Sequence, residues 1–336
     1  MNESNGEKMG VSPRRALPGG VVEITVKSDA PFSYDGVECR VGGLPARIVS
    51  ASRRGFHVQV PEGAEGDLFV EIISPLIDVP DPIGIEIGRE LARDLHIVAN
   101  PAIDPVDDSI VTTRSGGRGQ SMPVSLFRIR KPGFVDEIEA DIMNPTGLAF
   151  DSQGSLFVSA RADGEIWKID REGRLSAFST GLGIPTGIAF DSEGVLHVGD
   201  RTGTVYRVMA NGDSEVLAKL DPSVAAFHLA FSPDGELYVT SPSISGYDSV
   251  QVIDRIGFVR TVFRGLGRPQ GIAFDRTGGL YVVASYQGSR GIVRISPETG
   301  DAELVVAGPD IVGMAFRGSE LIVATRERVY GFEQAI

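Results

Sequence analysis

The chain has 336 residues, with 32 Lys plus Arg against 45 Asp plus Glu and a formal net charge of −13. An acidic chain with no basic run is unsuited to nucleic-acid backbones, whose binding needs Lys and Arg to displace counterions. A single cysteine, Cys39, excludes an intrachain disulfide and a Cys-based zinc cluster. No stretch approaches the roughly 18 uninterrupted apolar residues of a membrane span, and the first twenty residues lack the apolar core of a signal peptide. The expectation is a cytoplasmic protein with no nucleic-acid and no membrane partner.

Glycine is abundant, 42 of 336 residues, well above the roughly 7% of average proteins. Without a collagen period, that excess points to many tight turns and therefore many short strands. Residues 1 to about 10 are polar and expected to be disordered. From Ala16 the pattern turns to strands: Val22, Ile24 and Val26 alternate with polar residues, as do Phe56, Val58 and Val60. Strands of this length separated by turn signals over residues 11–74 predict a small β-sandwich.

The wording of this segment is similar to the IPT/TIG family of immunoglobulin-like domains. Ala16-Leu-Pro-Gly-Gly20, Val41-Gly-Gly-Leu-Pro-Ala46, Ile48-Val-Ser-Ala-Ser52 and Val60-Pro-Glu-Gly-Ala64 followed by Gly66 carry the likeness. One departure is the loop Lys27–Gly36, KSDAPFSYDG, which stands where the family has a short Gly-containing turn. The resemblance implies a spacer or protein-binding module without chemistry of its own. Residues 75–83, beginning PLIDVPDP, read as a short stiff linker.

The remainder, 84–336, is organised by one repeat. IPTGIAFDSEGVLHVGD, from Ile184, returns as NPTGLAFD from Asn144 and RPQGIAFD from Arg268, with looser copies at Ala225 and Asp310. Aligned on Gly187, the equivalent positions are Asn100, Gly147, His228, Gly271 and Gly313, separated by 40 to 47 residues. Six units with room for four strands each predict a six-bladed β-propeller. The sixth unit has too few residues for a fourth strand. Ile85–Ala92 precedes the first unit just as EVLAKL, RTVFRG and AELVVA precede theirs. That segment is expected to complete the last blade, leaving no open edge. The predicted fold is thus all-β: an Ig-like sandwich, then a propeller closed by an N-terminal outer strand.

Within each inner strand, bulk alternates with small residues, as in Ile188 and Phe190 against Gly187 and Ala189. Successive side chains face opposite sides, so adjacent blades can interlock large onto small. The Asp-x-x-Gly segments at Asp151, Asp191 and Asp275 are read as hairpin turns, with Asp bonding local backbone and Gly at positive φ. A calcium loop would need ligands at alternate positions and a closing Glu, which these segments lack.

The repeat resembles NHL-type and gluconolactonase/senescence-marker propellers, most specifically in PTGIAFDSEGVLHVGD and PQGIAFDRTGGLYVVAS. The gluconolactonase likeness implies a divalent metal at the channel top and lactone opening. Its ligands are a Glu early in the first blade, an Asn before an inner-strand Gly, and an Asp at a later entrance. Here those entrances carry Thr146, Thr186, Gln270 and Val312, with Phe227 before His228, and the first blade opens His96-Ile-Val-Ala-Asn100. The family's ligand set is therefore not matched, and no metal site is assigned.

Two groups of residues remain as candidates. Asn100 and His228 break the small-residue rule in blades that lie opposite each other, so they are expected to face across the channel mouth, with His96 on the same face. A histidine near neutral pKa is suited to general-base work or anion binding, though His228 filling space between blades is the plainer alternative. The second group is a rim of arginines on the loops between second and third strands: Arg114, Arg118, Arg161, Arg201, Arg290 and Arg326, with Tyr286 beside them. Guanidinium groups there suit carboxylate or phosphate; pairing with local acids such as Asp163 and Asp200 is the alternative.

The sequence thus supports a non-catalytic protein that binds a small anionic ligand or a protein over the propeller's top face. Asn100, Thr146, Thr186, Gln270, Arg114, Arg118, Arg161, Arg201, Tyr286 and Arg290 are its candidate contacts, and no cofactor is expected. The rival is a metal-dependent hydrolase or lactonase with a displaced site around His96, Asn100 and His228, for which calcium is the expected cation.

Overall fold

A computed structural model describes residues 9–26, 36–52, 55–74, 81–116, 122 and 124–333. Most of the loop Lys27–Gly36, most of the linker, and Arg118 with its immediate neighbours lie outside the described residues, as does the polar stretch 1–8. Every regular element among the described residues is a β-strand, and no helix is long and apolar enough to cross a membrane. The chain divides into two compact units.

The first unit is Met1–Arg89 with Gln287–Ile292 and Leu304–Pro309. In its antiparallel ladder, Val21–Val26 lies between Met9–Ser12 and Gly55–Gln59. Gly55–Gln59 continues to Leu44–Ser52, then Glu38–Val41, Gly66–Ile73 and Ile83–Ile87. The alternation seen in the sequence becomes one dry face. Val22, Ile24, Val41, Val58 and Val70 are each 0% exposed and share one cluster with Phe56 and Cys39. Burial in that apolar core pushes the Cys39 thiol up to about 12, so it is a packing residue with no thiolate at neutral pH. Ala16 pairs in parallel with both Ile87 and Ala307.

The strand expected to run unbroken over Ile85–Ala92 is two strands. Ile83–Ile87 pairs with Gly66–Ile73 inside the first unit, and only Arg89–Ala92 joins the last propeller sheet, beside Val329–Phe332. The break falls at Gly88, whose N–H donates to Ala16 O at 3.0 Å. Local pattern is the same on both sides of that glycine, and only the partner strands differ.

The second unit has the sheets of a β-propeller. In chain order they are Ala102–Ile138, Pro145–Ser179, Pro185–Lys219 and His228–Leu266, four strands each, hydrogen-bonded in sequence order. A last four-stranded sheet combines Ile311–Arg317, Glu320–Thr325 and Val329–Phe332 with Arg89–Ala92. Between the fourth and last, strands Ile272–Phe274, Leu280–Tyr286, Ser289–Ser296 and Asp301–Ala307 also follow sequence order, within a larger sheet.

Adjacent sheets interlock as the large–small alternation requires. Ala149 packs against a cluster of Phe157, Ile188, Leu196 and Val198, and Ala189 against Phe227, Leu229 and Leu237. The Asp-x-x-Gly segments are turns. Asp151, Asp191 and Asp275 each accept two backbone N–H bonds at 2.8–3.0 Å from residues two and four further on. Gly154, Gly194 and Gly278 take φ of 82°, 81° and 88°.

Candidate functional site

The inner strands approach one another so closely around the axis that their opening residues have almost no lateral room. A Cβ on Gly147 would meet Thr186 O at 2.2 Å, and one on Gly187 would meet Phe227 O at 2.4 Å. Glycine is required there by contact with the next strand's backbone. The side chains at these entrances are correspondingly drawn into holding the ring together.

Thr186, 2% exposed, donates through Oγ1 to Gly199 O at 3.1 Å and accepts the Phe227 N–H at 3.0 Å. Thr146 is 5% exposed and reaches the Asn144 carbonyl at 3.4 Å. The Gln270 backbone bonds to Val283 O, and its carbonyl accepts the Thr240 hydroxyl at 2.9 Å. Asn100 spans three sheets: Nδ2 donates to Ile272 O at 3.2 Å and Oδ1 accepts the Met314 N–H at 3.1 Å.

Asn100, Thr146, Thr186 and His228 do come together, lining one axial cavity of about 30 Å³ with Gly147 and Gly187. That volume holds about one or two waters. His228 is 7% exposed, and its imidazole has no hydrogen-bond partner among the described residues. Desolvation lowers its pKa to about 4, so it is neutral at physiological pH. A neutral imidazole can accept a proton, but no carboxylate orients this one.

His96 is not part of that cavity. It takes a positive φ of 55° in the loop before the first sheet, and its side chain is 58% exposed. Its Nδ1 lies 3.5 Å from Glu327 Oε1. The i, i+4 spacing to Asn100 does not carry His96 onto the axis: the chain takes left-handed backbone at Asp94 and at His96 itself.

Of the arginines, Arg201 is committed to the backbone, with Nε 3.4 Å from Ser223 O and Nη2 3.2 Å from Val224 O. Arg114 is half-buried, its guanidinium 5.9 Å from the Phe127 ring centroid and its Nε without a partner. Arg161 is half-buried and Arg326 exposed. Tyr286 packs its ring 6.2 Å from that of Phe263. Arg290 lies within the first unit, where its carbonyl accepts the Gly308 N–H. Asp200 is no arginine partner: it is 2% exposed, and Oδ1 accepts the Ile184 N–H at 2.8 Å.

Sequence reading missed a set of hydroxyl latches. Ser159 Oγ accepts the Gly147 N–H at 2.7 Å and donates to Thr186 O at 2.6 Å in the next sheet. Thr240 does the same toward Gln270 O, and Ser115 toward Pro145 O at 2.6 Å. Ser159 and Thr240 both stand three residues after the Leu that opens a second strand, Leu156 and Leu237, a register visible in the sequence.

The residues do not fit the divalent metal of gluconolactonases. The entrance hydroxyls of Thr146 and Thr186 are already engaged by protein, and neutral oxygens without a carboxylate bind such ions weakly. Among the described residues, no group of three or more His, Cys, Asp or Glu is placed to hold a metal ion.

By fold the chain is an all-β protein with a β-propeller arrangement. No protein-family model matches it, and no curated protein matches it either. Solved structures do. It is similar to an auxiliary nutrient binding protein from Bacteroides ovatus at 12% identity and TM-score 0.57, covering 98% of this chain and 99% of that one. A putative gluconolactonase aligns at 16% identity and TM-score 0.60, over 74% of this chain and 91% of that one. A gluconolactonase from Xanthomonas campestris aligns at 19% identity and TM-score 0.58, over 72% and 88%.

Proposed function

We propose that this protein is a non-catalytic binding protein. On this reading an IPT/TIG-type Ig-like module precedes a six-bladed propeller, whose top face engages a small anionic ligand or a protein partner. Counting Ile272–Ala307 as a blade beside the five separate four-stranded sheets supports the number six. One observation carries the binding reading: the axial cavity measures only about 30 Å³, and the Asn100 and Thr186 side chains that line it are engaged by backbone groups. A lactone cannot enter such a space, so a ligand would sit on the rim, where Arg114, Arg161 and Arg326 provide positive charge against an overall net charge of −13. The full-length likeness to a nutrient binding protein is consistent with this reading; the gluconolactonase likenesses extend over about three quarters of the chain.

The test pairs a thermal-shift and calorimetric screen of sugar acids, dicarboxylates and phosphates with a lactone-hydrolysis screen in added calcium, zinc and manganese. Saturable binding without turnover, weakened in Arg114→Ala or Arg326→Ala, is the expected result. Turnover that is lost in His228→Ala overturns the proposal and establishes the hydrolase reading.

A further inference from the structure

At the opposite end of the strands from Thr186, a cavity of about 310 Å³ opens between the third and fourth propeller sheets. Its floor is apolar: Leu217, Phe231, Leu237 and Ile253 line it. One ionisable group is buried in that floor. His197 is 4% exposed, with its ring edge-on to Phe231 at 4.9 Å. Nδ1 lies 3.2 Å from Val195 O, which fixes the proton on Nδ1 and leaves Nε2 a bare acceptor. Nε2 has no partner among the described residues.

The rim supplies four carboxylates and two guanidinium groups. Arg207 is held by Glu215 at 3.3 Å, and Arg255 by Glu193 at 3.6 Å. Both positive charges are thereby matched, leaving Asp191 and Asp254 in excess. Each uses Oδ1 to cap its own turn, Asp191 on the Val195 N–H and Asp254 on the Phe258 N–H, both at 2.9 Å. Neither Oδ2 has a hydrogen bond among the described residues. Above the apolar floor the buried free polar atom is an acceptor, His197 Nε2, and the unmatched rim charges are carboxylates, beside the remaining donors of Arg255 and the Ser192 hydroxyl.

We propose that this cavity binds a small organic cation, an ammonium group carried on an apolar or aromatic body. The body covers Phe231, Leu237 and Ile253, and the ammonium donates to His197 Nε2 and the aspartate oxygens. An anion of the same shape meets uncompensated carboxylates, and a pure hydrocarbon leaves the buried imidazole nitrogen unsatisfied. Size agrees: benzene fills an apolar cavity of about 150 Å³, so this space takes a ring and a short amine chain. The site is separate from the top-face reading and stands or falls without it.

The probe is phenethylamine, titrated into the full chain alongside 3-phenylpropionate. Binding is followed by calorimetry and by the ring-proton NMR signals of the four histidines. The His197 signals are assigned from His197→Gln, or by elimination from variants of the other three if that variant fails to fold. The expected result is a Kd of about 1 mM for the amine, ordinary for a ligand of this size, with His197 signals shifting. The carboxylate binds at least about tenfold more weakly. Asp191→Asn/Asp254→Asn, in which the amide oxygens still cap the turns, weakens the amine about tenfold. Unmoved His197 signals, equal binding of amine and carboxylate, or unchanged affinity in the double variant each overturn the proposal.

Discussion

The side-chain amide of Asn100 occupies the space that Gly271 leaves open: a Cβ on Gly271 would stand 2.1 Å from Asn100 Oδ1. The same amide bonds to Ile272 O and the Met314 N–H. Asn100 is therefore a keystone joining three sheets, and the departure from glycine at its position is explained by packing.

Asn100→Ala should destabilise the protein by about 2–4 kcal/mol, since a buried donor and a buried acceptor both lose their partner. Gly271→Ala should destabilise as well, and the double variant should be less unstable than the sum, with a coupling of at least ~0.5 kcal/mol. Rescue is incomplete because Gly313 Cα also lies 2.8 Å from the new Cβ. Urea unfolding of the four proteins measures this, and strict additivity would refute the keystone role.

His228 should make stability fall in mild acid. Desolvation lowers its folded pKa to about 4, from 6.5, so between these values the unfolded chain binds the extra proton. The stability it contributes is complete above about pH 6.5 and drains away as pH falls toward 4, by on the order of 3 kcal/mol. His197, also lowered by desolvation against the pull of Asp191, acts with the same sign. Unfolding curves at pH 7.5 and 4.5 should show a smaller pH difference in His228→Phe than in the parent chain.

Thr186 and Thr146 occupy matching positions but should differ in importance. Thr186→Val removes two bonds of 3.0 and 3.1 Å, an expected loss of about 1–3 kcal/mol. Thr146→Val removes one bond of 3.4 Å and should cost well under half as much. If denaturant midpoints show the reverse order, the backbone bonds of Thr186 are not what holds these sheets.

Asp275 is the best-satisfied turn carboxylate, accepting from Thr277 N, Thr277 Oγ1, Gly279 N and Tyr281 Oη at 2.8–3.0 Å. Burial raises its pKa, but these bonds outweigh burial and hold it below the usual range. Its stabilisation is present above the unfolded pKa of about 3.9 and is lost as pH falls through the folded value. Asp275→Ala should cost about 2–3 kcal/mol and Asp275→Asn less. Millimolar calcium should leave the Tm of the parent chain unchanged; a rise abolished by Asp275→Ala would show a metal loop instead of a turn.

The repeat made much of this structure legible in advance. Alternation at Val22, Ile24 and Val58 marked the buried face of the N-terminal strands, the spacing of Gly147, Gly187 and Gly313 marked the inner strands, and Asp-x-x-Gly marked the turns. These are local signals, because pleat, turn geometry and strand length depend on neighbours a few residues away. The sequence also singled out Asn100, Thr146, Thr186 and His228, which the fold gathers around one axis.

Tertiary structure alone decided what those residues do. The same entrance side chains would serve a ligand if the ring left them room, and the close approach of Gly147 to Thr186 O and of Gly271 to Asn100 removes that room. Partner choice was likewise not local: Ile83–Ile87 and Arg89–Ala92 read as one strand but pair with different sheets across Gly88. Sequence periodicity determined which side chains share a strand face, because that follows from alternation within each strand. Which hydroxyl is free, which histidine is dry and which cavity stays open depend on atoms brought together from 13 to 214 residues apart, and only the packing of the sheets around the axis sets those distances.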